Sequence, residues 1–168
     1  FVALAELCGL IIRVGTLGEE VFILPGDYLD LVKDLLQKMG YSKTKINGPT
    51  KMSNFITVFR PEIVKWLDTK DSIPSAFMND CEPTIISALL KGLASPCNLG
   101  KEFAYNNRHL LRQIQNLLTR LEIQSFVYSS AYSVRGLPFL GLATYGQRLL
   151  SYYFGETKKK PVFDEMKK

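Results

Sequence analysis

Two segments of this chain, LAELCGLII (4–12) and IISALLKGLA (85–94), are apolar on nearly every helical face. A helix apolar all round belongs in an interior, because no orientation offers water a polar side. Each segment also sets two small residues four apart, Ala5 with Gly9 and Ala88 with Gly92. Glycine within a helix costs about 1 kcal/mol relative to alanine. Accepting that cost twice implies two helices whose backbones touch, with Ala5, Gly9, Ala88 and Gly92 as the seam.

Downstream of each segment the chain repeats the same pattern. An extended stretch leads into DYLDLVKDLLQKMG (27–40), whose Tyr28, Leu31, Val32, Leu35, Leu36 and Met39 form one apolar stripe. Asp27 is placed to cap this helix and Gly40 to end it. In the second half NRHLLRQIQNLLTRLEI (107–123) carries the matching stripe. A hairpin comes next in each half. KTKI (43–46) and NFITVFR (54–60) flank the turn-rich NGPTKMS, and QSFVYSS (124–130) and LPFLGLAT (137–144) flank AYSVRG. PEIVKWL (61–67), with proline at its favoured first position, and GQRLLSYYF (146–154) close the halves as short helices. The expected architecture is α+β, a pseudo-twofold duplication of αββαββα halves around two central packed helices. Half one is 1–69, a linker runs 70–81, half two is 82–157, and 158–168 is a basic tail.

Charge narrows the partners. Of the net +5, the tail supplies +3, with five lysines against two acids, leaving only +2 for the body. Phosphate neutralisation dominates nucleic-acid affinity, so this body is a weak electrostatic footprint. No apolar run nears the roughly 20 residues that span a bilayer. Cys8, Cys81 and Cys97 are odd in number and far apart. They read as reduced thiols of an intracellular protein, with no zinc pattern beside the single His109. His109 has no partner at catalytic spacing and reads as a surface or capping residue. Asp27 and Asp30 read as helix-start residues. The chain begins at Phe1 rather than a methionine, which leaves open whether it is a segment of something longer.

The motif-like segments LAELCGLIIRVGTL (4–17) and ALLKGLASPCNLG (88–100) resemble the two motifs of the LAGLIDADG homing endonucleases, in the single-chain form also found in inteins. The resemblance implies two sheets forming a saddle over DNA. It also implies an acidic residue at the foot of each motif helix, the pair holding magnesium between the scissile phosphates. Laid on this chain, the motif puts Val14 at the first acid position and Cys97 at the second. Valine ligates nothing, and a soft thiol is a poor partner for magnesium. Arg13 and Asn98 stand where the family often has glycine. Glu19 and Glu20 lie beyond a turn and out of place. The expectation is an inactive site with no metal cofactor. Only about a dozen residues (15–26) separate the first motif helix from the next, and fewer in the second half (98–106), so the arms that reach along DNA grooves are short here.

Candidate contacts remain on the longer hairpins: Lys43, Lys45, Lys51 and Arg60 in one, Gln124, Tyr128, Tyr132 and Arg135 in the other. Basic side chains suit phosphates and tyrosines suit stacking on unpaired bases. The same residues also fit an ordinary solvated sheet face. Three readings of function therefore stay open. One is binding of DNA or structured RNA without cutting, by a monomer with an internal pseudo-dimer. Another is a structural or protein-interaction domain of a larger assembly. A metal-dependent endonuclease with a relocated site is the third reading.

Overall fold

The computed structural model describes residues 1–79, 82–94, 102–105, 107–134 and 137–144. The two apolar segments form helices α1 (Val2–Val14) and α5 (Pro83–Leu93), which pack along one another at the centre of the core. Leu7, Leu10, Ile11 and Ile12 of α1 are all buried. Burying each such side chain is worth about 1.5–3 kcal/mol, which outweighs the propensity cost of Gly9 in the same helix.

In the first half α1 is followed by β1 (Thr16–Leu17), β2 (Val21–Pro25), α2 (Leu29–Lys38), β3 (Ile46–Asn47), β4 (Phe55–Phe59) and α3 (Pro61–Leu67). Its sheet is antiparallel in the order β1-β2-β4-β3. Strand side chains alternate between faces, so Phe22, Leu24, Ile56 and Val58 all enter the core. There they meet α1, the α2 residues Val32, Leu35 and Leu36, and the α3 residues Ile63, Val64 and Leu67. In the second half β5 (Glu102–Tyr105) precedes α6 (Arg108–Arg120), β6 (Ser125–Val134) and β7 (Leu137–Thr144), with antiparallel order β5-β7-β6. Mixed helices and antiparallel sheets confirm the α+β class. A short helix, α4 (Ser75–Met78), lies in the segment joining the halves and buries Phe77 against Trp66 and Phe1.

Local chemistry explains most boundaries. Gly40, at φ +83°, closes α2 with bonds from its own N–H to Gln37 O and from Tyr41 N–H to Leu36 O, a left-handed glycine stop. Pro61 opens α3. Asn107 caps α6 by accepting from Leu110 N–H at 3.2 Å.

Several expectations need correction. Asp27 does not cap α2; it sits in a 3-10 turn (Gly26–Tyr28), and Tyr28 holds the cap position without a side-chain bond. KTKI (43–46) is not a strand throughout, so Lys43 and Lys45 do not stand together on one strand face. Residues 42–43 turn, pinned by Thr44 Oγ1 donating to Tyr41 O at 2.7 Å, and β3 is only two residues long. AYSVRG is not all turn, because β6 runs on to Val134 through a register shift between Ser129 and Ser133. The helix expected at 146–154, and the tail 158–168, lie outside the described residues. No helix among the described residues is long and apolar enough to cross a membrane.

Candidate functional site: the helix crossing and the outer sheet face

Gly9 and Gly92 meet where α1 crosses α5. A Cβ on Gly9 would overlap the Leu89 carbonyl oxygen and stand 2.9 Å from Leu93 N. A Cβ on Gly92 would overlap the Glu6 carbonyl oxygen and stand 2.7 Å from Leu10 N. Ala5 is fully buried and Ala88 packs against the same core. Beside the seam, Lys91 Nζ lies 3.7 Å from Glu6 Oε1, tying one helix to the other.

Below the seam the two helices differ. α1 continues to Val14, whereas α5 ends at Leu93, with Ala94 extended at ψ 139°. In a continuing helix the Gly92 carbonyl would accept from residue 96, but that residue is proline and has no N–H. Arg13 supplies the donor instead: its Nε donates to Gly92 O at 3.0 Å, and its Nη2 donates to the Tyr28 hydroxyl at 3.1 Å. Tyr105 does the same for the next carbonyl, its hydroxyl donating to Leu93 O at 2.7 Å. A helix C-terminus carries partial negative charge. Here a guanidinium answers it.

Val14, at the motif's first acid position, is half-buried and packs against the core. Cys97, at the second, lies outside the described residues. Glu19 and Glu20 are exposed in the turn between β1 and β2. Among the described residues no cluster of three or more His, Cys, Asp or Glu could hold a metal ion.

Burial pushes the Cys8 thiol up from 9.0 to about 12. Desolvation also raises the Tyr105 hydroxyl well above its ordinary value, with the nearby Arg13 charge pulling the other way. Both groups bind their protons more tightly folded than unfolded. Their contribution to stability is complete below about pH 9 and is lost as pH rises towards their folded values. The urea midpoint is expected to hold steady from pH 7 to 8.5 and then decline; a flat profile to pH 11 would show that neither group is buried.

The face of the first sheet turned away from the core is unusual. Register places Val21 beside Phe59, Ile23 beside Thr57, and Pro25 beside Phe55, with Thr16 beyond Ile23 and Asn47 beyond Thr57. Phe55 is 54% exposed and Phe59 44%. This face has hardly any hydrogen-bonding side chains. Lys45 O accepts from Phe59 N–H, putting exposed Lys45 at the β3 edge beside Phe59, and exposed Lys51 lies in the β3–β4 turn towards Phe55. Lys43 is exposed in the preceding turn.

Arg60 is otherwise engaged. It lies 4.1 Å over the Tyr41 ring, donates to Thr44 Oγ1 at 2.6 Å and reaches Glu62 at 3.7 Å, with only 20% of its side chain exposed. In the second hairpin Gln124 is exposed just before β6, and Tyr128 stands in register with Gly141. Tyr132 falls within the register shift, and Arg135 lies outside the described residues. His109 is exposed at the start of α6.

Sequence reasoning missed Phe55 and Phe59, although NFITVFR is apolar on both strand faces and so signals more than a solvated outer side. It also missed the Tyr28–Arg13–Gly92 and Tyr105–Leu93 links, for which Pro96 was the available signal.

No family model and no curated protein matches the sequence. Solved structures match it in shape. A mesophilic variant of the homing endonuclease I-DmoI superposes with TM-score 0.66 and 15% identity, covering 93% of this chain and 96% of the other. An I-DmoI variant in complex with its target DNA and magnesium gives 0.64 and 15%, covering 93% and 97%. The N-terminal LAGLIDADG domain of WhiA gives 0.53 and 14%, covering 98% and 86%. At such identities the likeness is one of fold, and the fold of this chain is that of the LAGLIDADG homing endonucleases.

Proposed function

We propose that this chain is a LAGLIDADG-type domain that binds nucleic acid without cutting it, acting as an intracellular monomer. The observation that carries the loss of catalysis is Arg13. At the foot of the helix crossing, where the endonuclease chemistry wants carboxylates and a divalent cation, this chain puts a guanidinium bound to Gly92 O beside the apolar Val14. A fixed cation there repels a metal and satisfies the helix end that would otherwise attract one.

Support for binding comes from the fold itself, which I-DmoI uses in complexes with its target DNA, and from the exposed lysines Lys43, Lys45 and Lys51 on the β3–β4 hairpin. Gln124, Tyr128, Tyr132 and Arg135 are the proposed contacts of the second hairpin. Arg60 serves the first hairpin from within, by holding Tyr41 and Thr44. An apolar outer sheet face is also what the second reading, a domain that docks on protein, would use.

Fluorescence anisotropy with DNA and RNA, together with supercoiled plasmid in magnesium or manganese, tests the proposal. Three lysine–phosphate contacts predict an affinity loss of about 20–40-fold between 50 and 200 mM salt, and no nicking. Metal-dependent nicking would overturn the loss of catalysis. Absence of binding at 50 mM salt would overturn nucleic-acid recognition and leave the protein-docking reading.

A further inference from the structure

Resting on that reading, we infer that the outer face of β1-β2-β4-β3 binds unpaired nucleotides, stacking their bases on Phe55 and Phe59. Reading a duplex groove requires donors and acceptors aimed at base edges. This face offers Val21, Ile23, Phe55 and Phe59 at its centre, with Thr16, Thr57 and Asn47 as its uncharged hydrogen-bonding side chains and Lys45 at its β3 edge. Pressed into a groove, the apolar side chains would strip water from base edges without replacing its hydrogen bonds. Against unpaired bases the same surface is favourable, because every base has a π-face that an exposed ring can cover.

The spacing suits a strand laid along β4. Phe55 and Phe59 share a face four residues apart, about 13 Å at the rise of a β-strand. That is about four nucleotides at the 3.4 Å stacked spacing. Charge sets its orientation. Lys45 flanks Phe59 and Lys51 lies towards Phe55, both on the β3 side, while Glu19 and Glu20 lie in the β1–β2 turn on the far side. Phosphates are drawn to the β3 edge and repelled from the β1 edge, which leaves the bases over the phenylalanines.

The test compares a mixed-sequence single-stranded 12-mer, as DNA and as RNA, with the matching duplexes. Tighter binding of a single strand than of its duplex is expected. Phe59→Ala and Phe55→Ala should each weaken single-strand binding by about 5–150-fold, the worth of one stacked base, with the salt slope unchanged. Phe59→Trp should retain binding and Phe59→Leu should not, since leucine keeps apolarity but loses the ring. Lys45→Gln with Lys51→Gln should flatten the salt slope by about 1.4. All four positions are exposed, so circular dichroism and melting temperature should match those of the unaltered protein. The DNA and RNA arms identify the sugar. Duplex binding equal to or tighter than single-strand binding, insensitive to Phe59→Ala, would overturn this inference and leave nucleic-acid binding standing. Loss of all binding at low salt overturns both.

Discussion

Gly92→Ala is expected to destabilise the fold by more than about 3 kcal/mol, and Gly92→Val to prevent folding. Helix propensity alone predicts the opposite sign, because alanine is favoured over glycine by about 1 kcal/mol in a helix interior. Packing decides the matter. The added Cβ would overlap the Glu6 carbonyl oxygen and lie 2.7 Å from Leu10 N and 3.0 Å from Gly9 C. All three are backbone atoms of α1, so no side-chain rotation relieves them and the two helices must separate. Overpacking against side chains costs about 1–3 kcal/mol; moving a helix that carries Leu7, Leu10 and Ile11 into the core costs more. Total stability of about 5–15 kcal/mol cannot absorb valine's further two methyls. Gly40→Ala provides the contrast. Its φ of +83° strains alanine, but nothing lies within 4 Å of the new Cβ, so a loss of about 1–2 kcal/mol is expected. Urea unfolding of the three variants separates the two costs. Gly92→Ala at or above the stability of the unaltered protein would show that the helix backbones do not touch.

The seam is legible in the sequence because its signal is local and redundant. Ala5, Gly9, Ala88 and Gly92 sit at helical spacing inside runs with no polar face, and burial is their only stable placement. Pro61 and Gly40 act on the backbone where they stand, so α3 begins and α2 ends where those residues dictate. The extent of β3 is not legible, because its brevity depends on contacts across sequence: Arg60 stacks on Tyr41 and bonds Thr44, and this holds residues 42–43 as a turn. Nothing in KTKI alone carries that information. The outer sheet face escapes sequence reasoning for a different reason. Phe55 and Phe59 alternate with Ile56 and Val58, and a strand apolar on both faces but for Thr57 leaves periodicity little to resolve. In the site, Arg13 stands out in the sequence as a cation out of place, but its partner is 79 residues away, and only the fold brings the two together.

That partnership makes Arg13→Glu the most informative single change at the foot of the crossing, with an expected loss of about 2–5 kcal/mol. The guanidinium bonds to Gly92 O and the Tyr28 hydroxyl disappear, and a hydrogen bond made by a charged group is worth about 1.5–3 kcal/mol. The introduced carboxylate then faces the negative end of α5, adding up to about 2 kcal/mol of repulsion. Part of this loss depends on pH. The helix end disfavours the ionised acid, so its folded pKa lies above the unfolded value near 4.3. The variant should recover stability as pH falls through that folded value, because the protonated form is the one the fold tolerates. Arg13→Lys keeps the charge without the fork that reaches two oxygens, and should lose about 1 kcal/mol with no such acid recovery. Equal losses for both variants at every pH would show that Arg13 acts through packing alone. The ordered outcome would establish that Arg13 answers the negative end of α5 by its charge as well as by its hydrogen bonds, so that an acid introduced at Val14 would stand next to a cation already fixed in the fold.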